Sequence, residues 1–225
     1  MTGRDTILSQ IRRSLGTAHL PDAQAAAPGR LPLRPAPSPD EQVIAFRRNL
    51  ESVRGRVHGP LAPAAAVDVV IGLLAETGAE ILSWPIEDVG LPGLAAALES
   101  MGARLIDPKV PDDVSGRAAA LQRLAEVPVG LTGAQAGLAD TGSLVLVHGP
   151  RRPRFASLLP PAHVAVLRVS RLWPDLPTYL ASGPALSDTS NVVFVTGPSR
   201  TADIELIPVF GVHGPKRLDV VLVSD

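Results

Sequence analysis

Apolar residues first recur at helical spacing in Ile7, Leu8, Ile11 and Leu15, and Gly16 interrupts them, which predicts one short amphipathic helix. The pattern then disappears. From Pro21 to Pro39 a Pro/Ala tract can supply neither a sheet ladder nor a helix interior and reads as an extended linker. This predicts two parts: an N-terminal helix and linker over 1–39, and one larger domain over 40–225. Asp40 is the expected N-cap of the domain's first helix, which carries Val43, Ile44, Phe46 and Leu50.

Three rounds of helix followed by short apolar strand come next. Pro63 to Thr77 leads to Glu80–Trp84, Leu91 to Ser100 leads to Ala103–Ile106, and Asp112 to Ala125 leads to Val127–Thr132. Alternation of this kind is the pattern of a mainly parallel sheet covered on both faces. After Gly133 the spacing tightens into strands separated by turns: Gly142–Val147, Ala162–Val169, Asn191–Val195 and Leu218–Val223, with one helix over Leu172 to Ser182. The expected class is therefore α/β, with a mixed, mainly parallel sheet flanked by helices and an antiparallel portion near Thr141 and Gly142.

Composition narrows the function classes. With 21 basic and 22 acidic residues in 225, the chain has no net field that would draw it to nucleic acid, and 3% aromatic residues leave little for stacking bases. The absence of cysteine removes disulfides, thiolate nucleophiles, thiolate zinc sites and any iron–sulfur cluster held by this chain's own thiolates. No apolar run reaches the length of a membrane span. Arg4 and Asp5 interrupt what a signal peptide would need, so a cytoplasmic location without a membrane span is expected.

Three segments could carry chemistry. In Asn191-Val-Val-Phe-Val-Thr-Gly-Pro-Ser-Arg-Thr-Ala-Asp-Ile-Glu205 a buried strand is expected to run through a loop towards a short helix. Gly197 would let a ligand approach the backbone closely, Ser199 and Thr201 can donate or cap, and Arg200 can grip a carboxylate or phosphate with two parallel bonds. The alternative is a capped helix entrance with Arg200 solvated. Asp203 and Glu205 could orient Arg200 or serve a cation or a proton. In Gly211-Val-His-Gly-Pro215, Gly214 helps leave His213 accessible for proton transfer, although an isolated loop histidine is more often incidental. Val147-His-Gly-Pro150 echoes it, which could bring His148 to His213 or could mark two ordinary strand-ending turns.

The third segment, Leu138-Ala-Asp-Thr-Gly-Ser143, contains the Asp-Thr-Gly of aspartic proteases, but only once, whereas that chemistry needs two carboxylates sharing a proton. It reads either as a hairpin turn or as a pocket wall presenting Asp140, Thr141 and Ser143. Arg151, Arg152 and Arg154 form a local excess of positive charge, suited to a solvated loop or to steering an acidic partner or metabolite. Phosphate-loop, dinucleotide and His-Glu-x-x-His motifs are absent, and no metal site is expected.

Taken in order, Gly133-Ala-Gln-Ala-Gly-Leu-Ala-Asp-Thr-Gly-Ser-Leu-Val-Leu146, Thr196-Gly-Pro-Ser-Arg-Thr-Ala-Asp-Ile-Glu205 and Gly211-Val-His-Gly-Pro215 resemble the LUD domain of the lactate utilisation protein C family. The resemblance covers roughly residues 40–225 and is strongest from Thr132 onward. It implies a fold similar to ribose-5-phosphate isomerase, glucosamine-6-phosphate deaminase and the CoA transferases. It also implies oxidation of L-lactate to pyruvate in company with partner proteins that carry iron–sulfur clusters, this chain binding none itself. Ser199, Arg200, Asp203 and His213 match motif positions, and Asp140 stands where relatives often have Glu. The matching residues make His213, Asp203 and Asp140 candidates for proton chemistry. Gly197, Ser199, Arg200, Thr201, Thr141, Ser143 and Gly214 become candidates for binding a small carboxylate or phosphate-bearing ligand. A stand-alone enzyme or binding module for a phosphorylated or CoA-like metabolite is the other reading.

Overall fold

The runs Val129–Gly133, Ala162–Arg168 and Arg217–Val223 carry apolar side chains at nearly every position, so neither face of these strands can tolerate water. The computed structural model places all three in one sheet and describes residues 3–17, 37–106, 108, 110–111, 113–186, 189–202, 208–210 and 214–225. The chain divides into two units, Met1–Arg34 and Pro35–Asp225. The first contains helix α1 (Gly3–Thr17), whose Ile7, Ile11 and Leu15 are exposed.

In the second unit, helix α2 (Pro39–Ser52) begins at Ser38 rather than at Asp40. Pro39 has the fixed φ that suits the first helical position, and Ser38 and Glu41 close a reciprocal capping box, with Ser38 N donating to Glu41 Oε2 at 2.8 Å. Strand β1 (Arg56–Leu61) follows and was not expected, because its sequence, Arg-Val-His-Gly-Pro-Leu, has one apolar residue between polar neighbours and a Gly-Pro pair. Then come α3 (Pro63–Ala75), β2 (Glu80–Ser83), the single-turn α4 (Ile86–Val89), α5 (Leu94–Ser100), β3 (Arg104–Ile106), α6 (Val114–Ala125) and β4 (Val129–Gly133). The expected helix from Leu91 starts only at Leu94, after Gly93 at positive φ. That from Asp112 starts at Val114, because Asp113 takes the N-cap and accepts from Gly116 N.

The remaining elements are β5 (Ala136–Leu138), β6 (Ser143–His148), α7 (Phe155–Leu158), β7 (Ala162–Arg168), β8 (Leu172–Trp173), α8 (Leu176–Ala181), β9 (Asn191–Val195), β10 (Arg200–Ala202), β11 (Pro208–Phe210) and β12 (Arg217–Val223). Six strands form an all-parallel sheet in the order β1-β12-β7-β4-β2-β3. The antiparallel character anticipated near Thr141 belongs to a separate four-stranded sheet, β8-β5-β6-β9, in which only β5 and β8 are parallel. Leu172 and Trp173 belong to that sheet instead of opening a helix. Asp175 caps α8 three residues later by accepting from Thr178 N.

Burial on both faces explains why β6 shows no alternation of apolar and polar positions. Leu144 and Leu146 face the main core with Phe46, Leu50 and the parallel strands, while Val145 and Val147 face a smaller cluster with Ala136, Leu138 and Tyr179. Each fully buried Leu or Phe in these clusters stabilises the fold by about 1.5–3 kcal/mol. The turn between β5 and β6 is pressed against the end of α2: a Cβ on Gly142 (φ +66°) would lie 2.3 Å from Leu50 N.

Two glycines separate conformational need from mere tolerance. Gly142→Ala is expected to destabilise by about 1–3 kcal/mol, through both positive φ and backbone collision. Gly72→Ala, inside α3 with open space around it, should stabilise by about 0.5–1 kcal/mol. Urea unfolding midpoints of the two variants provide the check.

Candidate functional site

The turn that ends β5 gathers part of the expected site. Ser143 Oγ donates to Thr141 Oγ1 at 2.8 Å and lies 2.6 Å from Thr196 Oγ1. Each hydroxyl has one proton. With Ser143 spending its own on Thr141, Thr196 must donate to Ser143, and the Thr141 proton is left for an outside acceptor. Ser143 is buried, while Thr141 and Thr196 are exposed, so the chain of hydroxyls leads from the interior to the surface. Asn49, at the end of α2, holds the turn by donating through Nδ2 to the carbonyls of Ala139 (2.8 Å) and Asp140 (2.9 Å). Asp140 is exposed beside this cluster, and its backbone N–H donates to Pro174.

Gly197 and Ser199 extend the same surface. Gly197, at φ +94°, makes its close approach to Val53 at the C-cap of α2, where a Cβ would come within 2.8 Å of Cγ2. Ser199 N donates to Pro215 O at 2.8 Å, and Gly214 lies against the Ser199 side chain. The path beyond differs from expectation in two respects. β9 is only partly buried, with Phe194 45% exposed, because it forms the margin of the antiparallel sheet and pairs there only with β6. Arg200 and Thr201 lie in β10 and pair with Phe210 and Val209 of β11, and the short helix expected further on falls on residues 203–207, outside the described residues. Backbone groups committed to a two-stranded ribbon cannot form a helix N-terminus, so Arg200–Ala202 do not themselves supply helix-end N–H groups. Asp203 and His213 lie outside the described residues, as does any meeting of His213 with His148.

This surface also sits at the unexpected end of the parallel sheet. Ser199 bonds to Pro215, and the neighbouring Lys216 N donates to Pro161 O, so both lie beside the amino ends of β7 and β12. Open parallel sheets bind ligands at the carboxyl ends, at the point where successive connections depart in opposite directions. Here that point is between β2 and β4: the chain leaves β2 for β3 at one margin and leaves β4 towards β7 on the other side. A cleft of about 160 Å³ opens there, lined by Trp84, Asp88, Gly133, Gln135, Arg152 and Arg171 among others. Ser143 and His148 mark opposite ends of β6, five residues or about 17 Å apart at strand rise. The hydroxyl cluster and the cleft are thus separate places. The cleft was illegible in the sequence apart from the basic excess at Arg151–Arg154, since strand order is what creates it.

Behind the cleft lies a buried polar pair. Trp84 meets His148 edge to face at 5.5 Å between centroids, and His148 Nδ1 is 3.2 Å from Arg152 O. His163 Nε2 is 2.9 Å from Thr132 Oγ1. Both rings are fully buried, and among the described residues His148 Nε2 and His163 Nδ1 have no hydrogen-bond partner. Burial disfavours the charged imidazole, with repulsion from His148 adding to it, and pushes the His163 pKa down to about 4. Burial, with the nearby Arg154 and Arg152 charges, lowers that of His148. Among the described residues no group of three or more His, Asp or Glu is placed to hold a metal ion.

The histidine pair gives stability a pH dependence of definite sign. An unfolded His163 protonates near its ordinary value of 6.5 while the folded one waits until about 4. In that window the unfolded state carries the extra proton, so stability falls as pH falls. Urea midpoints at pH 7 and pH 5 should show this loss, and His163→Gln should flatten the difference between them.

The LUD domain family model matches residues 44–223, which is most of the chain. An uncharacterized protein of Neisseria meningitidis is 34% identical over 99 residues, covering 43% of this chain and 42% of that one. Lactate utilization protein C of Halalkalibacterium halodurans is 36% identical over 112 residues, covering 47% and 48%, and that of Exiguobacterium sp. is 40% identical over 103 residues, covering 43% and 44%. The matched segment thus spans less than half the length of each of these curated relatives. A crystal structure of a DUF162 family protein from Deinococcus radiodurans shares the fold, with a TM-score of 0.54 and 19% identity over 85% of this chain and 99% of that one. The sequence match and the parallel-sheet architecture agree: the chain belongs to the LUD domain family.

Proposed function

We propose that this chain serves lactate utilisation, as the cluster-free member of a multi-protein system that oxidises L-lactate to pyruvate. The observation that carries the reading is its membership of the LUD domain family together with relatives that bear the name lactate utilization protein C. Oxidation removes the C2 hydrogen and the hydroxyl hydrogen of lactate, two electrons and two protons in all. The electrons need an acceptor, and a chain without cysteine cannot hold an iron–sulfur cluster through thiolates. In this reading the clusters sit on partner proteins, and this chain handles the organic acid in the cytoplasm.

The surface around the hydroxyl cluster is the proposed place of that handling. Thr141 offers the outward proton of the Thr196–Ser143–Thr141 chain, with Gly197, Ser199 and Gly214 beside it. Arg200 and Thr201, on β10, would grip the carboxylate. His213, Asp203 and Asp140 are the proposed proton carriers.

Deletion of the gene should abolish growth on L-lactate and spare growth on glucose. Complementation with the wild-type gene should restore it, and with Arg200→Ala should restore it poorly at equal protein level. Affinity capture from lactate-grown cells should bring down iron–sulfur proteins in stoichiometric amount. Undiminished growth of the deletion strain on lactate would refute the role. A purified chain that turned over a phosphorylated or CoA-linked metabolite without partners would favour the stand-alone reading.

A further inference from the structure

The cleft at the carboxyl ends of β2 and β4 has a charge balance and a size that the hydroxyl cluster does not explain. Two guanidiniums line it. Arg152 lies over the Trp84 ring, 5.9 Å from its centroid, and meets no carboxylate among the described residues. Among the described residues Arg171 donates, through Nη1, to the Ala134 carbonyl alone, at 3.3 Å, which leaves the rest of its fork of donors to an occupant. Both acids in the lining, Glu87 and Asp88, are paired with Arg151, which stands outside the cleft, Asp88 at 3.9 Å from its Nε. With Arg151 facing both carboxylates, three guanidiniums against two acids leave a net positive charge of about one, carried by Arg152 and Arg171, which suits a monoanion over a dianion.

The walls are held in place independently of any occupant. Trp84 N donates to Leu131 O at 3.1 Å and its Nε1 to Pro153 O at 3.1 Å, so the ring stands as a fixed partition. Gly133 ends β4 directly beneath α4, where a Cβ would lie 2.5 Å from Asp88 O. Arg168 Nη2 donates to Gly90 O at 3.0 Å and ties the end of α4 to the end of β7. Such preorganisation lowers the ordering cost of binding. At about 160 Å³ the cleft is well below the roughly 300–1,000 Å³ of sites for drug-sized ligands and matches a ligand of a few heavy atoms.

We infer that this cleft is a second binding site, for a small monocarboxylate, with Arg152 and Arg171 as its carboxylate grips and Gln135 and Asp88 available to a neighbouring hydroxyl or carbonyl. It is distinct from the Thr141–Thr196 surface at the other end of β6. The inference rests on strand order, charge and volume, and stands whether or not the chain serves lactate utilisation.

The test uses the full-length protein, titrated with L-lactate, pyruvate, propionate and inorganic phosphate while the Trp84 indole N–H resonance is followed by NMR. Trp173→Phe assigns which of the two indole signals belongs to Trp84. Saturable shifts are expected with the three carboxylates at lower concentration than with phosphate. Arg152→Gln and Arg171→Gln should each weaken them roughly tenfold or more, the scale of a lost charge-assisted hydrogen bond. Arg123→Gln, an exposed charge-matched change on α6, should not, and circular dichroism checks that each variant is folded. The inference is overturned by absence of saturable shifts, by phosphate binding as well as the carboxylates, or by wild-type affinity in both cleft variants. Carboxylate binding lost only in Arg200→Ala would also overturn it. A normal growth phenotype on lactate would bear on the proposed function and leave this result untouched.

Discussion

The closing edge of the parallel sheet, β1 on β12, depends on one fully buried carboxylate. Asp219, on β12, is fully buried and accepts from Arg56 Nη2 at 3.1 Å, from His58 Nε2 at 2.9 Å and from Arg217 Nε at 2.6 Å. Arg217 reaches on to Glu76 after α3, at 2.8 Å. A buried charge is tolerable only when paired and hydrogen-bonded, and removal of one partner from such a group costs about 3–5 kcal/mol. Since Arg56 stands opposite Asp219 in the ladder, the clamp also selects the register of β1 on β12. A slip by one residue would turn Val57 out of the core and strand the carboxylate.

That clamp explains why β1 is hard to read from sequence. Its apolar content is low because it is held by ionic partners 163 residues away and by Arg47 of α2, which donates to the carbonyl of Val57. Strands buried on both faces, such as Val129–Gly133 and Arg217–Val223, announce themselves by composition, and the helices by spacing and glycine stops. Ser38 displaces Asp40 as cap through a side-chain geometry that local propensity ranks almost evenly. The division of strands between two sheets is a matter of partner choice, which alternation of elements does not encode.

The candidate site divides along the same line. Asp140, Thr141, Ser143, Gly197, Ser199 and Gly214 were legible as motif residues, and the structure gathers them against the end of α2. Their neighbours Asn49 and Val53 come from the end of a helix, Asn49 about ninety residues before the turn it holds and Val53 further still from Gly197, with no motif of their own. Trp84, Arg152 and Arg171 form a cleft only because β2 and β4 are adjacent while β3 lies between them in sequence. Local pattern gives the chemistry available to a segment; topology decides which segments share it.

The interior position of β12 carries a consequence for biosynthesis. β1 is among the first strands of the domain to leave the ribosome, yet its ladder partner among the described strands, β12, is made last, after β7 and β4. Until residue 223 is translated, β7 and β1 flank an empty slot with unmet backbone donors and acceptors. Closing the sheet therefore waits on contacts far apart in sequence, the kind of pairing that folds slowly and leaves strand edges exposed meanwhile.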